Sequence, residues 1–175
     1  MVFSYYNRLT VKQKRIYQES DRITSVPLPE VKHLYPYVMA LSNALRSENR
    51  TETEQSSQKL VSCLTSALKV SSVRVKVLAK RPSRTWGELH GLYEDSNDNS
   101  VPVITVWMRT AQRRQVVAFK TFLRTLLHEL GHHLDYKLLR LGDSLHTEGF
   151  YKRESSLLHQ LFRVCILTFN LLNLR

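Results

Sequence analysis

Residues 119–139 read FKTFLRTLLHELGHHLDYKLL, and this stretch decides how the rest of the chain is read. Phe119, Phe122, Leu123, Leu126, Leu127, Leu130, Leu134 and Leu138 recur at helical spacing, which gives a helix with one apolar side. The pattern predicts a helix from about Gln112 to Leu139, with Thr110 available as its cap and Gly142-Asp143 ending it. Embedded in it is His128-Glu129-Leu130-Gly131-His132, an HExxH pattern. Two histidines one turn apart project from the same face and can bind one ion. Leu130 faces the core, while Glu129 sits beside the ligands, placed to deprotonate a water. Core packing cannot explain both histidines, so chemistry is the better account. His133 points to another face and is not expected to be a ligand.

A catalytic zinc takes three protein ligands and keeps one position for water. Four downstream residues are candidates for the third: His146, Glu154, Asp135 and Glu148. His146 follows the Gly142 turn, where the chain can fold back toward the helix. Glu154 would supply a carboxylate from a last helix, and otherwise suits that helix's N-terminal dipole. Asp135 is also suited to orienting a ligand histidine.

Working outward, Val73, Val75 and Val77 alternate with Arg74 and Lys76, the period of a half-buried strand. Gly87 to Tyr93 and Val101 to Trp107 read as second and third strands, with Pro102 keeping the start of the latter outside the ladder. Glu94 to Ser100 is polar and reads as a loop. Upstream, Val31 to Arg46 and Gln58 to Val70 carry helical periodicity, joined by a polar stretch that is a loop or an exposed helix start. A final helix is expected from Tyr151 or Glu154, becoming very apolar in LFRVCILTFNLL, which suits packing on the sheet or long helix. Residues 1–25 are polar and basic and read as a flexible arm, leaving 26–175 as one domain. The fold class is therefore α+β: a small antiparallel sheet of about three strands packed on the long helix, with flanking helices.

The 175 residues carry 26 Lys plus Arg against 15 Asp plus Glu, a net charge of +11, and 42% are apolar. That apolar share supports a real core and argues against wholesale disorder. The charge favours an anionic contact, nucleic acid or acidic substrate, although solubility alone also accounts for it. Lys80 to Trp86 and Arg109 to Arg114 are basic loops where such contact could occur; solvated loops are the commoner explanation. The 2 cysteines, Cys63 and Cys165, form no disulfide framework and no CxxC knuckle. With no secretory signal and no span of uninterrupted apolar residues, a cytoplasmic protein without membrane contact is expected. His90 could touch substrate, though a hydrogen-bonded strand histidine is the commoner case; His33 and His159 read as structural.

The run HELGH followed by His146-Thr147-Glu148-Gly149-Phe150-Tyr151 resembles the SprT-like (Spartan-type) zincin metallopeptidases, over roughly residues 73 to 155. That family has HExxH on a helix, then a third histidine opening an H-x-x-x-F segment. The resemblance implies that His128, His132 and His146 bind Zn2+, that Glu129 is the catalytic base, and that Phe150 is the matching aromatic. It implies a zincin-like fold whose third strand runs beside the cleft and can pair with an extended substrate. The function expected is hydrolysis of peptide bonds in a protein or peptide substrate by a metal-activated water. The alternative is a catalytically weak zinc-binding protein serving as a nucleic-acid or protein interaction module.

Overall fold

A computed structural model describes residues 3–84, 87–95 and 100–172, with side chains described except at 83–88 and 164–172. The alternating valines form the first strand, β1 (Arg74–Lys80), whose Val75 and Val77 are buried while Arg74 and Lys76 face water. The expected strand at 87–93 divides. Gly87–Glu88 (β3) pairs with Ser83–Arg84 (β2) in a small hairpin of its own, and Gly91–Glu94 (β4) joins the main sheet.

The third expected strand is β5 (Val103–Arg109), and it takes the centre of the sheet in the order β1-β5-β4. Ile104 through Met108 are all buried, and a strand apolar on both faces belongs in the middle. β5 pairs antiparallel with β4 but parallel with β1, so the three-stranded sheet is mixed rather than antiparallel. The reason is topological: the chain leaves β1, passes through the hairpin and β4, then re-enters between them in the direction of β1.

The outer edge of β1 is closed by side chains of α3 (Arg50–Ala67). Gln58 accepts from the Val75 N–H at 2.7 Å and donates to the Val73 carbonyl at 3.0 Å. Glu54 accepts from Val77 N–H, and Arg50 donates to Val77 carbonyl. Three polar side chains one turn apart thus stand in for a missing strand, which keeps the edge from pairing with another chain. α3 begins at Arg50 because Asn49 caps it through Glu52 N–H, so the polar stretch after α2 (Tyr35–Arg46) is largely helix.

The HExxH helix, α4 (Phe119–Lys137), packs on β4 and β5. It starts later than Gln112. Thr110 N–H bonds the Gln115 carbonyl and Val117 N–H returns to the Met108 carbonyl, so residues 110–117 form a return, helped by Arg114 at φ 53°. Ala118, not Thr110, occupies the capping position. α5 (Glu148–Leu172) starts early because the Thr147 hydroxyl accepts from Phe150 N–H.

The N-terminal stretch is not a loose arm. Thr10 and Gln13 form a capping box that starts α1 (Val11–Arg22), which packs on α5. Only Ile16 and Tyr17 give it a buried apolar face, too few to register as periodicity, while Ser20 is buried as a polar contact. Phe122, Leu123, Leu126, Leu127 and Leu130 of α4 are fully buried, each contributing about 2 kcal/mol of apolar transfer. Among the described residues, no helix is long and apolar enough to cross a membrane. The expectations for Thr85, Trp86 and residues 96–99, and for the side chains of the C-terminal apolar run including Cys165, lie outside what is described.

Candidate metal centre

His128 and His132 stand one turn apart on α4, and the segment between α4 and α5 brings His146 to them. His128 Nε2 lies 3.0 Å from His146 Nε2, which lies 3.2 Å from His132 Nε2. Three nitrogens each about 2.1 Å from one tetrahedral ion would be roughly 3.4 Å apart, so this arrangement fits a shared metal. These three histidines are close enough to hold one ion. Phe150 lies beside all three rings at centroid distances of 4.8–5.3 Å. Gly131 makes room for it: a Cβ there would come within 3.1 Å of the Phe150 ring.

Hydrogen bonds fix the histidine tautomers. The buried Glu154 carboxylate accepts from His128 Nδ1 at 2.9 Å and from Arg124 Nε at 2.7 Å. His132 Nδ1 lies 2.7 Å from Ser144 Oγ, whose single proton goes to Asp135 at 2.8 Å. Ser144 must therefore accept from His132 Nδ1–H. In both rings the proton sits on Nδ1 and the Nε2 lone pair faces the centre, as metal binding requires. Asp135 is itself paired with buried Arg153 at 2.8 Å. Burial, followed by the neighbouring His128 and His146, pushes His132 down to about 3, and burial also lowers His146, so both are neutral donors near neutral pH.

Glu129 is buried beside these histidines, and burial raises its carboxyl to about 7 against the opposing pull of His128 and of the Tyr93 backbone N–H. The Tyr93 contact shows that the outer edge of β4 faces the HExxH helix. Gly91 on the same strand has no side chain because Glu129 occupies that space. Together they line a cleft of about 610 Å³ that also includes Leu92, Arg124, Tyr151 and the three histidines.

Of the four candidates for third ligand, only His146 directs a donor into the centre. Glu154 and Asp135 instead hold His128 and, through Ser144, His132, while Glu148 pairs with Lys152 at 2.8 Å on the surface. His133 is fully buried, with Nε2 2.9 Å from the Ser71 carbonyl and Nδ1 3.2 Å from the Tyr93 hydroxyl, tying α4 to the sheet. His90 is exposed and lies at the cleft, just before β4 rather than within a strand. Arg109 of the second basic loop is engaged by Glu48 and by the Arg114 carbonyl.

Sequence reading missed Ser144, Arg153, Arg124 and Gly91. A serine in a loop and a glycine at the start of a strand carry no spacing signal. Arg153 meets Asp135 only because α5 folds back along α4. No family model, curated protein or solved structure matches the chain.

Proposed function

We propose that this chain is a zinc metallopeptidase that hydrolyses peptide bonds in extended protein segments, as the SprT-like zincins it resembles do. The observation that supports this best is the pairing of three convergent imidazole nitrogens with an adjacent buried carboxylate in one open cleft. Imidazole donors with a position left for solvent suit zinc, which lowers the pKa of water toward neutrality and polarises a carbonyl.

Glu129 takes the proton from the attacking water and passes it to the amine leaving group. A carboxyl near 7 suits that exchange, since it can both accept and return a proton at neutral pH. A purely structural metal site has no use for this carboxylate. Glu154 and Ser144 keep the ligand rings in the required tautomer and orientation.

The sheet favours an extended chain as substrate. The third expected strand, β5, is paired on both sides and cannot take a substrate strand. The edge of β1 is occupied by α3 side chains, whereas the edge of β4 borders the cleft and half-exposed Leu92 offers an apolar contact there. Exposed Arg74, Lys76 and Lys80 on one face of β1 favour a second reading, contact with nucleic acid. Salt-dependent DNA binding that survives metal removal would support it.

The test uses zinc-loaded wild type and Glu129→Gln with an unfolded protein substrate. Wild type should release fragments, lose activity on chelation and regain it with zinc. Glu129→Gln should keep its zinc and release none. Cleavage by the variant at the wild-type rate, with zinc in place, overturns the reading.

A further inference from the structure

The N-terminal segment reaches the metal centre at two separate points outside the HExxH pattern. The Tyr5 hydroxyl donates to the His146 carbonyl at 2.7 Å. Beside it, Phe3 packs on Tyr151 at 5.8 Å, and Tyr151 stacks on the His146 ring at 5.8 Å and 21°. The second point is the end of α1. Arg153 donates to the Ser20 and Ile23 carbonyls, both at 2.6 Å, and to the Ser20 hydroxyl at 3.0 Å. The same guanidinium holds Asp135, which holds Ser144, which holds His132.

We propose that residues 3–23 are a positioning element of the metal centre, with Tyr5 setting where His146 stands relative to His128 and His132. This rests on the reading of the three histidines as metal ligands. His128 and His132 sit on a helix whose backbone is fixed by its own hydrogen bonds. His146 sits in the connection before α5, outside any helical hydrogen-bond ladder. There the bond from Thr147 N–H to the Leu145 carbonyl at 2.8 Å turns the chain locally, and contacts from outside fix where that turn stands. Tyr5 does this at the carbonyl of the ligand residue itself. The surrounding fit is close: Asp21 accepts from Gly149 N–H at 2.8 Å, and a Cβ on Gly149 would lie 2.7 Å from Asp21 Cα. Ser20 and Thr147 hydroxyls meet at 3.1 Å. The segment His146–Phe150 is therefore seated on the end of α1, and displacing the N-terminal segment loosens the third ligand.

The test is zinc affinity of the full chain by competition with a chelator, together with the visible spectrum of the cobalt-substituted protein. Tyr5→Phe keeps the ring and removes the hydroxyl. It should weaken zinc about tenfold, the lower end of what supporting groups around metal ligands contribute, and alter the cobalt spectrum. Tyr6→Phe is the control, because Tyr6 packs on Tyr17 at 4.9 Å and meets Gln18 without touching the centre. It removes the same atom from the same segment and should leave both readouts unchanged. Wild-type affinity and spectrum in Tyr5→Phe overturn the proposal while leaving the metal centre intact. An equal loss in both variants also overturns it, since general loosening would then be the cause. A wild-type chain that takes up neither metal removes the metal-centre reading and this inference with it.

Discussion

Glu129 fills the space where Gly91 would carry a side chain: a Cβ on Gly91 would lie 2.7 Å from Glu129 Cγ and 2.8 Å from its Cδ. The carboxylate therefore keeps its place only because β4 is bare at that point. Gly91→Ala should push Glu129 away from the ligands without touching any of them. The expected outcome is full zinc content with kcat/KM lowered roughly a hundredfold, the scale of an ångström-level misplacement. Zinc analysis and peptide hydrolysis on the same preparation check it, and wild-type turnover would show that Glu129 has another workable position.

Ser144 is the relay between His132 and the buried Asp135–Arg153 pair. Ser144→Ala leaves His132 Nδ1–H without its acceptor and Asp135 without one donor. Zinc affinity should fall about 10- to 100-fold by chelator competition. Unchanged affinity would mean the ring is held by packing on Phe150 alone.

The HExxH helix, its apolar side and the shared face of His128 and His132 were readable because ligand spacing and helical period are local properties of the chain. Spacing left His146 one of four candidates, and only the family resemblance singled it out. The mixed sheet was not, because strand order is decided by which strand is apolar on both faces, and Ile104–Met108 competes for the centre only when all three strands are compared. The N-terminal helix escaped notice for another reason: its attachment rests on hydrogen bonds from Tyr5, Ser20 and Asp21 to residues far along the chain. Polar contacts of that range leave no period in a sequence. Asp135 and Glu154 were visible as candidate ligands but not as supports, since the difference depends on where Ser144, Arg153 and Arg124 fall in space.

The distinction between ligand and support can be measured directly. His146→Ala removes a donor from the centre, so zinc should be lost under mild dialysis. Glu154→Gln keeps the size of the side chain but replaces the acceptor shared by His128 and Arg124. It should retain zinc at saturating concentration and bind it about 10- to 100-fold more weakly. The reverse pattern, with His146→Ala fully loaded and Glu154→Gln empty, would transfer the third-ligand role to Glu154.

The buried carboxyl of Glu129 also has a cost in stability, and its pH dependence has a definite sign. Burial raises this group from 4.5 to about 7, so the native chain holds the proton more tightly than the unfolded chain does. Its contribution to stability is therefore greatest at acid pH and declines as pH rises through that window. His132 and His146 act in the opposite sense, because a lowered imidazole pKa makes the native state bind fewer protons in acid. The wild-type profile mixes these effects, but the difference between metal-free wild type and metal-free Glu129→Gln isolates the carboxyl. Urea unfolding across the range should show Glu129→Gln gaining on wild type between about pH 4.5 and pH 7, then levelling off at up to about 3 kcal/mol. A difference that stays flat with pH would mean Glu129 titrates as it does in water, and that its buried position does not tune it as a base.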